Sequence, residues 1–120
     1  MALKRFAMEF GMGTDLQGAN YTKAAVRALK DALWHNSLTM APAFGFPREA
    51  MQVEVLIGVA RPELVDKAAV ADVLPYGSAT VSVEEGGLDI AKDDGSMTVM
   101  ANAAAVVYFD VEDTQEHSDG

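Results

Sequence analysis

The stretch EFGMGTDLQGANY, residues 9–21, places three glycines and an aspartate between an alternating apolar run and an amphipathic segment. Upstream, Phe6, Met8 and Phe10 alternate with Arg5, Ala7 and Glu9, the period-two pattern of a half-buried first strand. Downstream, Tyr21, Ala25, Ala28, Leu29, Ala32 and Leu33 form one helical stripe, with Lys23, Arg27, Lys30 and Asp31 on the other side. Asn20 stands where an N-cap belongs, so the spacing predicts a helix over residues 21–38. Residues 11–20 then read as a strand-to-helix turn, and a first strand followed by a helix sets the fold class.

The rest of the chain continues the alternation. TMAPAFGFPREA, with two prolines and a glycine, reads as a loop. In MQVEVLIGVA, Val53, Val55, Ile57 and Val59 share one face of a second strand, while Glu54, Leu56 and Gly58 share the other. RPELVDKAAVADVLPYG predicts a short second helix, with Pro62 in its first turn, Asp66 as an alternative N-cap, and Pro75 and Gly77 ending it. SATVSVEEGGLDIAKDDGS reads as strand, Gly-Gly turn, short strand and Asp-Asp-Gly turn, before a long last strand in MTVMANAAAVVYFDV. The expected order is β-α-β-α-β-β-β. This is an α/β two-layer sandwich, a mixed sheet of about five strands with both helices on one face. Residues 1–111 form the single domain of this reading, and residues 112–120 an acidic, frayed tail.

Both faces of the last strand are largely apolar. Val99, Ala101, Ala103, Ala105 and Val107 lie on one, and Met100, Asn102, Ala104, Val106 and Tyr108 on the other. A solvated face would alternate to polar residues, so the second face is expected to be buried against other subunits in a closed, ring-like homo-oligomer, a trimer among the possibilities. The alternative is a small-residue strand tucked under its own loops. Asn102, polar within this run, is read as a structural amide that needs a partner, or as part of a pocket.

Composition removes several function classes. A 12.8 kDa chain is one domain with room for a core. The net charge of −9 offers no basic stripe for a phosphate backbone, which argues against nucleic acid. With no cysteine, disulfides, thiol catalysis and zinc–thiolate sites are excluded. His35 and His117 are too far apart to suggest a histidine metal cage, and His35 fits an interaction with its helix C-terminus. No apolar run suits a signal peptide or a membrane span, so the expectation is a cytoplasmic protein without a membrane partner.

The glycine segment is neither a dinucleotide fingerprint nor a P-loop, because the third glycine is misplaced and no Gly-Lys-Ser/Thr follows. Its position is more informative. If the first two strands are parallel, their carboxyl ends share a sheet edge, where ligands of open α/β sheets bind. Arg61 is then expected near Gly13, Thr14 and the amides of the first helix, a guanidinium and N–H donors suited to an anion. Asp15 is a candidate general base, ligand acceptor, oxygen ligand to a divalent ion, or orienting partner for Arg61. It also suits an Asx-turn onto Gln17 with no ligand at all. Lys23 and Arg27 read as solvated helix-face charges.

MEFGMGTDLQGANYTKAAVRALKDAL, with VLIGVARPELVD and EGGL, resembles a small conserved-hypothetical family, the Lin locus-tag family, whose N-terminal signature is G-x-G-x-D-x-H-G. The resemblance covers nearly the whole chain before the acidic tail and implies that Gly11, Gly13, Asp15 and Gly18 match that signature. It implies no established activity or cofactor. Gln17 stands where the signature has histidine, and glutamine neither shuttles a proton near neutral pH nor binds metal as imidazole does. A fainter similarity, in IGVARPE and MGTDLQG, is to one repeat of cyanuric acid hydrolase and barbiturase, ring-opening amidohydrolases with three repeats about a threefold axis. Their Ser–Lys pairs have no convincing counterpart here. The sequence thus offers two readings. One is a homo-oligomer binding a small molecule, an anion among the options, through Gly11, Gly13, Thr14, Asp15, Gln17, Gly18 and Arg61. The other is an assembly module whose glycine turn serves chain geometry alone, and an amidohydrolase-like enzyme stands as a further alternative.

Overall fold

The computed structural model describes residues 2–34 and 39–111. The expected acidic tail, His35 and the predicted last turn of the first helix lie outside the described residues. Among the described residues, five strands form one mixed sheet: β1 (Leu3–Asp15), β2 (Gln52–Val59), β3 (Ser78–Glu85), β4 (Leu88–Ala91) and β5 (Met97–Asp110). The main helix is α1 (Tyr21–Trp34), with shorter helices α2 (Met40–Ala43) and α3 (Lys67–Ala71). The order β1-β5-β2-β3 puts β5 between β1 and β2, antiparallel to both, so β1 and β2 run parallel to each other as expected. β2 and β3 pair in parallel.

Beyond the end of β2, the chain crosses over. β2 pairs with β5 only as far as Gly58 opposite Asn102. β3 then steps past the end of β2 through Gly86 and Gly87, and β4 takes the vacated place beside β5, from Leu88 opposite Met100 to Ala91 opposite Met97. Gly86 N–H donates to Val59 O at 2.8 Å, and Gly87 N–H to Asn102 Oδ1 at 3.0 Å. At Gly87, φ is +60° and a Cβ would stand 2.1 Å from Met100 O, so the crossing requires glycine there. Asn102 thus serves the structural role expected of it, anchoring the crossing on the uncovered side of the sheet.

Among the described residues, the helices lie on one face. The core joins Ala24, Ala25, Ala28, Leu29 and Ala32 of α1 to Val53, Val55, Ile57 and Val59 of β2 and Val99, Ala101, Ala105 and Val107 of β5. Phe46 stacks on Phe109 with ring centroids 4.2 Å apart, and Phe6 meets both edge-on. Three expectations change. The register of β1 shifts between Arg5 and Ala7, which turns Phe6 into the core and leaves Met8 and Phe10 on the opposite face, where Phe10 is 65% exposed. Phe6, Met8 and Phe10 therefore do not share one buried face.

The second change concerns the glycines. β1 runs through GMGTD to Asp15, so Gly11 and Gly13 are strand residues beneath α1. A Cβ on Gly11 would lie 2.3 Å from Ala28 O, and one on Gly13 2.3 Å from Ala28 N. The small face of α1 needs a strand without side chains there. Third, the second predicted helix divides into a 3₁₀ turn, Pro62–Leu64, and α3. Asp66 caps α3, accepting from Ala68 N at 3.0 Å and Ala69 N at 3.3 Å. Asn20 caps α1 as expected, its Oδ1 accepting from Lys23 N at 3.0 Å.

Candidate functional site

With Gly11 and Gly13 inside β1, the turn proper is Leu16–Asn20. Asp15 ends the strand on its buried side, 6% exposed, where its Oδ2 accepts from Asn20 N at 3.0 Å. Its Oδ1 lies 3.7 Å from Arg27 Nη1, and that guanidinium also donates to Thr14 O at 2.6 Å. The carboxylate closes the loop over five residues and sits at the amide end of α1, where the helix dipole favours negative charge. The Asx-turn onto Gln17 gives way to this longer closure onto Asn20. Gly18 lies against the same carboxylate, and Ala19 adopts φ +50°, the only non-glycine with positive φ among the described residues.

The β4–β5 hairpin holds the turn from its other side. Lys92 Nζ donates to Leu16 O at 2.7 Å, and Thr98 Oγ1 donates to the same oxygen at 3.0 Å. Gly18 bridges Met97. The turn, the first half of α1 and the hairpin tip enclose an open groove of about 690 Å³ lined by Asp15, Gln17, Asn20, Lys23, Arg27 and Lys92, among others. Among its lining residues are three cations and one acid, on a chain whose net charge is −9.

Of the residues expected to form a site, Asp15, Gln17 and Gly18 come together here. Gly11 and Gly13 are covered by α1. Thr14 contributes its carbonyl, and its side chain belongs to the uncovered face, opposite Met100. Arg61 does not line the groove. The reason is the crossover: in the row of Asp15 and Val99, the third position belongs to Asp89 of β4, not to a residue following β2. Tyr21, at the start of α1, donates its hydroxyl to Asp89 Oδ2, while Asp89 Oδ1 is buried without a partner among the described residues. That hydrogen bond, burial and the Asp89 charge raise the Tyr21 pKa above its ordinary value, and Arg61 and Glu63 act on Tyr21 from nearby.

Lys92 is a groove residue that the sequence motifs do not point to. Its signal was AKDDGS: a hairpin tip leading into the strand that pairs with β1 must lie beside the carboxyl end of β1. Among the described residues, no cluster of three His, Cys, Asp or Glu side chains is placed to hold a metal ion, and no helix is long and apolar enough to cross a membrane.

No protein of curated function matches the chain. Its fold is similar to a crystal structure of an FtsZ-like protein of unknown function from Nostoc punctiforme, at TM-score 0.81 and 35% identity, over 92% of this chain and 98% of that one. Residues 5–107, from the first strand through most of β5, match one family of conserved hypothetical proteins, and the chain belongs to that family (Lin0512_fam).

Proposed function

We propose that the chain binds a small oxyanion, a carboxylate or phosphate, in the groove between the 16–20 turn, α1 and the β4–β5 hairpin. The observation that supports this is the convergence of Lys23, Arg27 and Lys92 from two separate elements on one groove of an otherwise acidic protein. Cations gathered against the net charge repel one another, and an anion between them offsets that cost. Asp15 then acts as the residue that orients Arg27 rather than as a general base, since both its oxygens face the turn and the guanidinium. Gln17 and Asn20 add neutral polar groups, so the groove is equipped for binding and not for proton transfer.

The second reading, an assembly module with a structural turn, is favoured by Gly11 and Gly13, whose presence the contact with α1 already explains. A thermal-shift titration with inorganic phosphate and with malonate separates the two. Binding at a hundredfold excess over Kd stabilises by about 2.7 kcal/mol, and Lys23→Glu, on the exposed side of α1, should abolish the shift without unfolding the protein. Should neither anion raise Tm, or should Lys23→Glu retain the full shift, the anion reading fails and the structural one stands.

A further inference from the structure

The helix-free face of the sheet is largely apolar on β1, β4 and β5 and carries the exposed acids Glu54 on β2 and Glu84 on β3. Met8, Phe10 and Met12 project from β1, Leu56 from β2, and Leu88 and Ile90 from β4, each between 39% and 65% exposed. Between these rows, β5 supplies Ala104 and Val106. Single exposed apolar residues are common, but six on one continuous sheet face form a surface that monomers rarely present. We infer that this face is covered by a second copy of this chain, packed sheet against sheet.

Two observations support a second copy as the cover. The first is extent. β1 and β5 run for 13 and 14 residues. At ~3.3 Å per residue and ~4.8 Å between strands, the face has a footprint on the order of 600 Å², close to the ~800 Å² that each partner of a stable dimer contributes. The second is charge. Alternation puts Arg5 at one corner of the face, in the row of Tyr108 and Gln52, and Glu84 at the diagonally opposite corner, in the row of Asn102 and Gly58. A two-fold axis lying between the sheets, with the strands of the two copies crossing steeply, brings Arg5 of each copy over Glu84 of the other. It also places Leu56 near the centre, with Phe10 further out on β1, and sets Glu54 of each copy beside the axis as the arrangement's one like-charge contact. Outside that pair the patch is complementary to itself, as a two-fold contact requires.

The inference does not depend on the anion groove, which Phe10 does not line. The test is the mass of the full chain by light scattering after size exclusion at tens of micromolar. A dimer is expected, and Phe10→Glu should return a monomer with unchanged far-ultraviolet circular dichroism. Arg5→Glu should weaken the dimer at least tenfold, and adding Glu84→Arg should restore it. A wild-type monomer or trimer, a dimer indifferent to Phe10→Glu, or a charge swap without rescue would each overturn the inference.

Discussion

The two halves of residues 9–21 use the same residue types for different physical reasons. In the strand half, Gly11 and Gly13 are defined by what they lack: the backbone of α1 occupies the space of their side chains. In the loop half, the fold depends on what is added, the Asp15 carboxylate bonded to Asn20 N and the Lys92 ammonium bonded to Leu16 O. A close backbone approach offers a new methyl group no way to relax. A surface loop can replace one hydrogen bond with water. The strand half should therefore be intolerant of substitution and the loop half graded in its response.

The largest expected effect tests the first claim. Gly13→Ala places a Cβ 2.3 Å from Ala28 N and 2.5 Å from Ala24 O, both backbone atoms of α1. The helix must lift from the sheet, at a cost of about 3 kcal/mol or more, toward the upper end for overpacked cores. Urea denaturation followed by circular dichroism measures it. Wild-type stability in this variant would mean that α1 does not rest on β1 as described, and the distinction between the halves would collapse.

A smaller effect is expected at Asp15. Asp15→Ala removes the bond to Asn20 N and leaves Arg27 without its carboxylate, although Arg27 keeps Thr14 O. A charge-assisted bond at a largely buried position contributes about 2 kcal/mol, while the half-exposed ion pair adds little. The midpoint should fall with the urea slope unchanged, since the sheet and helix stay intact. A loss as large as that of Gly13→Ala would show that turn and strand form one unit rather than two.

This contrast also explains what the sequence could reveal. Tyr21, Ala25, Leu29 and Leu33 announced the helix, Asn20 and Asp66 announced caps, and both apolar faces of β5 were visible, because each follows from local periodicity or local hydrogen bonding. The extent of β1 was not visible. Glycine favours turns when judged locally, and only the alanine-rich face of α1, brought against it by tertiary packing, makes glycine a strand residue here. The bulge near Phe6 was hidden for a related reason, since alternation carries no mark where it slips by one residue. At the candidate site, the shared sheet edge of β1 and β2 was legible, but the step of β3 into β4 was not. That step installs Asp89 where Arg61 was expected and brings Lys92 to the groove.

The smallest expected effect lies at Tyr21, where the loop half meets α1, and its distinctive signature is at high pH. The neutral phenol donates to Asp89, and this bond, with burial and the neighbouring carboxylate, raises the folded-state pKa above 10.0. A group whose folded pKa is raised contributes stability that is complete below its unfolded value. That contribution is lost as pH rises through the folded value, so the wild type should weaken progressively above pH 10. Absorbance titration should show one tyrosine ionising above the ordinary range, and Tyr21→Phe should remove that component. Tyr21→Phe also leaves Asp89 without its donor, so the variant should be less stable at neutral pH. Its stability should nonetheless fall less steeply than the wild type's above pH 10, because it has no phenol there to ionise. Equal slopes in the two proteins would mean that the Tyr21–Asp89 bond does not hold the start of α1 in solution.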